Sequence, residues 1–185
     1  GGQGSVPIVF RASMWHNASN AGHHSDRPYP LFMGVPGLKV VVPSTPYDVK
    51  GLLKAAMRDD DPVIVFEDNS LWFKMGEVPE DDYVVPIGVA DIKRQGSDVT
   101  LVTIGSTQAD SLAAAETMAA EGVSVEVIDP RTLSPLDTDT ILGSVARTGR
   151  LAIVDPANRS MSAASEISAI VSEQVFDSLK KPVQR

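Results

Sequence analysis

The feature that most constrains the fold is an alternation of short apolar runs with helical patterns along both halves of the chain. The first of these runs, at residues 6–10, is β-branched and aromatic and is predicted to be a buried strand. The predicted strands together occupy residues 6–10, 38–42, 63–66, 99–104, 123–128 and 151–154. The predicted helices occupy about residues 47–58, 108–121, 138–147 and 164–179. Strands that alternate with helices form parallel sheets, so the fold class is predicted to be α/β.

The chain is predicted to form two compact units, because its 185 residues exceed the usual size of one domain. Residues 69–97 mix aromatic, Gly, Pro and acidic residues without a sustained period, which is typical of an extended connector. The boundary falls near Pro86. We assign the first domain to residues 1–68, the linker to 69–90 and the second domain to 91–185.

The composition excludes several classes of protein. With 24 acidic and 16 basic residues, the net charge of −8 argues against sequence-independent binding to nucleic acid or to anionic lipid. No apolar run approaches the roughly 18 residues that a membrane span requires. The chain has no cysteine, which excludes disulfides and thiolate metal sites. Because nothing at its start resembles a signal peptide, a cytosolic location is the default expectation.

All three histidines, His16, His23 and His24, fall within nine positions. Histidine is the commonest metal ligand, but these residues do not form the His-Glu-x-x-His pattern. They follow a predicted parallel strand, and α/β proteins place binding groups at the carboxyl ends of such strands. Three interpretations therefore stay open: a metal site, a binding loop and surface histidines without a role.

An acidic run, Asp59, Asp60 and Asp61, follows the helix predicted at residues 47–58. The carboxyl end of a helix carries partial negative charge and unpaired carbonyl groups, so three acids there are unfavourable. Either water solvates these carboxylates or a cation binds at the helix end.

Nucleotide-binding and hydrolase motifs are not found. The glycines form neither the Gly-x-Gly-x-x-Gly fingerprint nor a Walker loop, and no Gly-x-Ser-x-Gly elbow occurs. Ser25 beside His24 is a weak candidate for a catalytic triad, since sequence neighbours rarely present nucleophile and base to each other.

Five strings in the chain resemble one enzyme family in their order and spacing. They are VPIVFR at 6–11, GHHS at 22–25, VPGLKVVVPSTPYDVKGLLKAA at 35–56, RDDDP at 58–62 and VEVIDPRTLSPLD at 125–137. Together they resemble the beta subunit of thiamine diphosphate-dependent 2-oxo acid dehydrogenases, in the transketolase superfamily. That family includes the pyruvate, branched-chain and acetoin enzymes.

The resemblance implies a fold in two parts. The first is the carboxyl-terminal part of a pyrimidine-binding domain of the thiamine fold. The second is a three-layer α/β domain of the transketolase C-terminal type with a mainly parallel sheet. On this resemblance we expect the chain to be truncated at both ends, so that it lacks the glutamate that activates the cofactor and the final segment that contacts the acyltransferase core.

The resemblance also implies residues for a site. The active-site histidine of the family precedes a serine, and His24 matches it, which leaves His16 and His23 unassigned. A potassium ion is held in the family by main-chain carbonyls at positions that match Ile8, Ala56, Asp59 and Asp61. No residue of this chain is assigned to cofactor binding.

The implied function is oxidative decarboxylation of a 2-oxo acid, or cleavage of acetoin, with acyl transfer to a lipoyl group. The implied cofactor is thiamine diphosphate with Mg²⁺. The implied partners are an alpha subunit, a second beta subunit and a lipoyl acyltransferase core, in a bacterial cytoplasm or a mitochondrial matrix. Two alternatives are kept: a catalytically silent module for assembly and dimerisation, and a fragment of a single-chain transketolase-like enzyme.

Overall fold

A computed structural model of the chain describes residues 4–15, 21–22 and 24–185. The strands are β1 (Val9–Met14), β2 (Lys39–Val41), β3 (Val63–Asp68), β4 (Asp91–Arg94), β5 (Val99–Thr103), β6 (Val125–Asp129), β7 (Thr132–Ser134) and β8 (Leu151–Val154). The helices are α1 (Tyr29–Met33), α2 (Pro46–Met57), α3 (Gln108–Ala120), α4 (Thr138–Thr148) and α5 (Ala163–Gln174). The chain divides into a first unit, Gly1–Val89 with Arg131–Leu136, and a second unit, Ala90–Pro130 with Asp137–Arg185.

The first unit is built on a four-stranded sheet in the order β1-β3-β2-β7. Strands β1, β3 and β2 are parallel, as predicted, and β7 is antiparallel to β2. The prediction that residues 6–10 form a buried strand is wrong. β1 lies at the edge of the described sheet and begins at Val9, while Val6, Ile8 and Phe10 are exposed. An apolar run alone cannot distinguish an edge strand from a central one.

Helix α2 packs over this sheet and begins at Pro46, one residue before the predicted start at about residue 47. The Thr45 side chain accepts a hydrogen bond from the Asp48 N–H, and Pro46 occupies the first turn, where its missing N–H is not needed. Leu52 and Ala56 are buried against β2 and β3. A Cβ atom at Gly51 would lie 2.5 Å from the Val85 side chain, so the close approach of the 83–85 segment requires glycine there.

Residues 131–136 contribute the last strand of this sheet, β7, which pairs with β2. Arg131 adopts a left-handed backbone conformation with φ of 57°, and its carbonyl accepts a hydrogen bond from the Val42 N–H at 2.8 Å. Thr132 then starts β7, and its hydroxyl accepts a hydrogen bond from the Gly88 N–H at 3.1 Å. Residues 131–136 therefore complete the first unit although they follow strand β6 of the second.

The second unit contains a four-stranded sheet in the order β4-β6-β5-β8. Strands β6, β5 and β8 are parallel, which confirms the predicted set of three, and β4 is antiparallel to β6. Helix α3 buries Ala115 against Leu101, Val125 and Val127 of this sheet. Gly122 has φ of 83° immediately after α3, the left-handed conformation expected of a helix stop. Within the described residues, no helix is both long and apolar enough to cross a membrane.

Candidate functional site

A pocket of about 630 Å³ lies in the first unit, at the carboxyl ends of β2 and β3 and beside the start of α2. It is lined by Arg11, Pro43, Ser44, Thr45, Pro46, Val49, Lys50, Glu67, Asp68, Leu71, Trp72, Lys74 and Val78. Its volume falls in the range of about 300–1,000 Å³ that is usual for small-molecule sites. Ligands of open α/β sheets bind outside the carboxyl ends of the strands, and this pocket has that position.

One wall of the pocket carries an ion pair between neighbouring strands. Arg11 on β1 donates from Nε and Nη2 to the two carboxylate oxygens of Glu67 on β3, at 2.5 and 2.9 Å. The hydrogen bond and the charge of Glu67 raise the pKa of Arg11 above its ordinary value. This bidentate pairing holds the guanidinium in one orientation and leaves the N–H groups of Nη1 directed away from Glu67.

One carboxylate oxygen of Asp68, the last residue of β3, accepts no hydrogen bond from any described residue. Its side chain is 1% exposed, and Oδ1 accepts hydrogen bonds from the Ser70 N–H at 3.0 Å and the Ser70 hydroxyl at 2.7 Å. Oδ2 is buried and has no hydrogen-bond partner among the described residues. A buried acceptor left in this way costs about 1–3 kcal/mol. A bound molecule with an N–H or O–H group could recover that cost.

His24 lies in a turn outside this pocket. Its N–H donates to the Ala21 carbonyl at 3.2 Å, and the Ser25 hydroxyl donates to the same carbonyl at 2.9 Å. The His24 side chain is exposed and does not line the pocket. His16 and His23 lie outside the described residues. The catalytic role of His24 therefore stays a prediction.

The acidic run after α2 has a cation of its own. Lys39 Nζ lies 2.7 Å from both carboxylate oxygens of Asp59 and 3.2 Å from Asp61 Oδ2. Burial lowers the pKa of Lys39, but the hydrogen bonds to these two acids outweigh it, so this pKa lies above its ordinary value. Burial likewise raises the pKa of Asp59, and the Lys39 ammonium with the Asp61 N–H lowers it by more. The single positive charge of Lys39 thus offsets part of the negative charge at this helix end, where solvent or a bound cation was expected.

The segments that carry the predicted potassium ligands do converge. The Ile8 carbonyl accepts from the Val63 N–H at 3.0 Å, and the Ala56 carbonyl accepts from the Asp59 N–H at 3.3 Å. Val6 donates to the Asp60 carbonyl at 3.0 Å, which ties the two segments together. Each carbonyl has a second lone pair, so the set is compatible with a cation held by main-chain oxygens. Ile8, Ala56, Asp59 and Asp61 stay predicted ligands.

Sequence reasoning missed the pocket and its polar residues. Arg11, Ser44 and Glu67 are far apart in the chain, and the pairing of β3 with β1 and β2 brings them together. One local signal was available. Asp68 and Ser70 come shortly after the apolar run at residues 63–66, where polar side chains are expected to gather at the sheet edge.

Two family profiles match the chain. "Transketolase, pyrimidine binding domain" matches residues 1–73, and "Transketolase, C-terminal domain" matches residues 88–185. The second match alone spans more than half of the chain, so membership of the family is shown.

Curated relatives are similar in sequence to this chain along nearly its whole length. It is 49% identical over 185 residues to the acetoin:2,6-dichlorophenolindophenol oxidoreductase subunit beta of Bacillus subtilis, covering 100% of this chain and 54% of the relative. It is 45% identical to the 2-oxoisovalerate dehydrogenase subunit beta of that organism, covering 98% and 56%. It is 41% identical to the pyruvate dehydrogenase E1 component subunit beta of the same bacterium, and the match covers 100% of this chain and 57% of the relative. The chain thus spans about half the length of these relatives.

A solved structure shares the fold. It is described as "Split gene transketolase, inactive beta4 tetramer" and superimposes with a TM-score of 0.82 at 24% identity, covering 97% of this chain and 57% of that one. At this identity the likeness supports the fold alone. The chain belongs to the transketolase family, as a pyrimidine-binding domain joined to a transketolase C-terminal domain and with beta subunits of acetoin and 2-oxo acid dehydrogenases among its relatives.

Proposed function

We propose that the chain is part of the beta subunit of a thiamine diphosphate-dependent dehydrogenase. With an alpha subunit and a second beta subunit, it oxidatively decarboxylates a 2-oxo acid, or cleaves acetoin, and transfers the acyl group to a lipoyl group on an acyltransferase core. In this proposal the enzyme acts on an aldehyde or oxo group with a disulfide as acceptor. The observation that carries the proposal is 49% identity over all 185 residues to a beta subunit of an acetoin oxidoreductase.

The cofactor is assigned to the assembled enzyme rather than to this chain. Thiamine diphosphate supplies a carbanion and an electron sink when it is bound. Within the described residues, no three Asp, Glu or His side chains are grouped so as to hold a metal ion. The proposal places the diphosphate and its Mg²⁺ on the alpha subunit.

The pocket supports a role for this chain in positioning the organic part of a substrate. The lining includes the apolar side chains of Val49, Leu71 and Trp72, which suit a short aliphatic chain. It also includes the Arg11–Glu67 pair, which supplies polar groups. An arginine with fixed orientation favours a carboxylate, since its remaining N–H groups can donate to both oxygens. His24, which does not line this pocket, is proposed as the acid or base of the assembled active site.

The test is reconstitution of the complete subunit with its alpha subunit, thiamine diphosphate and Mg²⁺. We expect lipoyl acylation from pyruvate, from a branched-chain 2-oxo acid or from acetoin, and no turnover by the 185-residue chain alone. Cofactor binding is measured separately by calorimetry. Absence of both turnover and cofactor binding in the reconstituted assembly would overturn the proposal and favour a catalytically silent assembly module.

A further inference from the structure

Two adjacent carboxylates line the pocket of the first unit, and only one of them is paired with a cation. Glu67 uses both of its oxygens in the hydrogen bonds with Arg11. Asp68 is 1% exposed, and its hydrogen bonds within the described residues come from Ser70, which carries no charge. A buried charge is screened little by salt, so Asp68 strongly affects the binding of a charged molecule beside it.

The carboxylate of Asp68 is held in one orientation. The Ser70 N–H and the Ser70 hydroxyl both donate to Oδ1, which limits rotation of the side chain. Oδ2 is buried, accepts no hydrogen bond from a described residue and belongs to a residue of the pocket lining. Buried acceptors in proteins are hydrogen-bonded in the large majority of cases, so Oδ2 indicates a ligand with an O–H or N–H group.

The two substrate classes of the proposed function differ in this group. A 2-oxo acid is an anion at neutral pH and has no hydroxyl group. Acetoin, a 2-hydroxy ketone, is uncharged and has a hydroxyl group beside its carbonyl group. A carboxylate close to Asp68 would be repelled by the like charge, whereas a hydroxyl group would supply the hydrogen bond that Oδ2 lacks.

The remaining lining suits the other groups of a 2-hydroxy ketone. Arg11 can donate from Nη1 to a carbonyl oxygen, because Glu67 engages only Nε and Nη2. Its charge is already paired with Glu67, so it is a weaker attraction for a second carboxylate than a lone guanidinium. Val49 and Leu71 supply apolar surface for methyl groups.

We infer that Asp68 is a specificity-determining residue, which accepts a hydrogen bond from the hydroxyl group of a 2-hydroxy ketone and repels the carboxylate of a 2-oxo acid. The inference rests on the proposed function and chooses between the two substrate classes named there.

The experiment compares three small molecules for binding to the complete alpha and beta subunits without thiamine diphosphate, so that no turnover occurs. Tryptophan fluorescence is the readout, because Trp72 lines the pocket. Acetoin should bind at least about tenfold more tightly than butanone, which lacks only the hydroxyl group, since a hydrogen bond to a charged acceptor contributes that much. Acetoin should also bind at least about tenfold more tightly than pyruvate. These comparisons need no substitution and therefore do not depend on the folding of a variant.

The variant Asp68→Asn removes the charge and tests the residue itself. It should raise the Kd for acetoin about tenfold or more, lower the Kd for pyruvate and leave the Kd for butanone unchanged. The matched control is Asp110→Asn, which removes an exposed carboxylate on α3 of the second unit and should change none of the three values.

Equal Kd values for acetoin and butanone would overturn the inference, because water or another segment of the complete subunit would then supply the donor to Oδ2. Tighter binding of pyruvate than of acetoin would also overturn it, while leaving the proposed function intact with a 2-oxo acid as the substrate. If neither compound binds and neither acylates the lipoyl group once the cofactor is added, the proposed function is wrong and the inference fails with it.

Discussion

Arg131 Nη1 lies 3.2 Å from Asp48 Oδ1, and both side chains are buried in the first unit, at 9% and 0% exposure. The Arg131 guanidinium also donates from Nη2 and Nε to the Val89 carbonyl, at 2.9 and 3.2 Å. One side chain thus ties together the first turn of α2, the end of the linker and the start of β7. A buried ion pair of this kind favours one packing of these three segments, because separating them would leave buried polar groups without their partners.

We predict that Arg131→Met lowers the free energy of unfolding of the first unit by about 3–5 kcal/mol, because the buried Asp48 carboxylate would lose its ion pair with Arg131. Both tryptophans, Trp15 and Trp72, belong to the first unit, so urea unfolding followed by tryptophan fluorescence reports on it. The control is Arg58→Met, whose partner Asp82 is exposed, and it should change the midpoint little. A loss below about 1 kcal/mol for Arg131→Met would show that the pair can be broken without penalty.

We predict that Asp82 titrates with a pKa of about 2. Hydrogen bonds from Lys54 and Arg58 lower the pKa of Asp82 from its ordinary value to about 2. A folded-state pKa below the unfolded value stabilises the fold above about pH 4, and that contribution disappears as the pH falls from about 4 to about 2. Carboxyl carbon shifts in NMR spectra give the midpoint directly. Lys54→Met should move it upward, and an unshifted midpoint in the unsubstituted protein would show that the two cations do not hold Asp82.

Local patterns locate the ends of two helices. The start of α2 follows from Thr45 and Pro46, and the end of α3 follows from Gly122, because capping depends on neighbours in sequence. Strand β7 could not be predicted. It has three residues, too few to show a period, and its pairing with β2 depends on Arg131, which is 83 residues from its partner Asp48.

Side-chain partnerships were harder to predict than elements. The acidic run was visible in sequence, but its compensation comes from Lys39, which is 20 residues from Asp59 and approaches it only because β2 pairs with β3. Arg11 and Glu67 are 56 residues apart and meet for the same reason, through the pairing of β1 with β3. The register of a parallel sheet determines these contacts, and register is a property of the whole core.

We predict that His24→Ala, in the complete enzyme with its alpha subunit, lowers lipoyl acylation by about 10²–10⁴, the usual contribution of one positioned acid or base. His16→Ala serves as the matched control and should lower the rate much less. The measurement is single-turnover acylation of a free lipoyl domain, which isolates the transfer step from substrate binding. Equal losses in the two variants would show that the histidine was wrongly chosen.

The last prediction concerns potassium at the end of α2. The Lys39 ammonium already pairs with Asp59 and Asp61, so the charge of the acidic run is a weaker argument for a bound cation than the sequence alone indicated. What still supports one is the convergence of the carbonyl-bearing segments at Ile8 and Ala56. A cation that binds the folded state alone raises the melting temperature through mass action, whereas simple screening does not distinguish one monovalent cation from another.

We therefore predict that potassium raises the melting temperature more than lithium or tetramethylammonium at equal ionic strength. Lys39→Met should lower the free energy of unfolding by about 1–3 kcal/mol, because the acids lose a charged hydrogen-bond donor. It should also enlarge the difference between potassium and the other cations, since the carboxylates then rely on the bound ion. Lys93→Met, which removes a lysine paired with Asp91 at 2.7 Å in the second unit, is the control and should leave that difference unchanged. Identical melting temperatures in all three salts, in both the unsubstituted protein and Lys39→Met, would mean that Lys39 is the sole cation at this helix end.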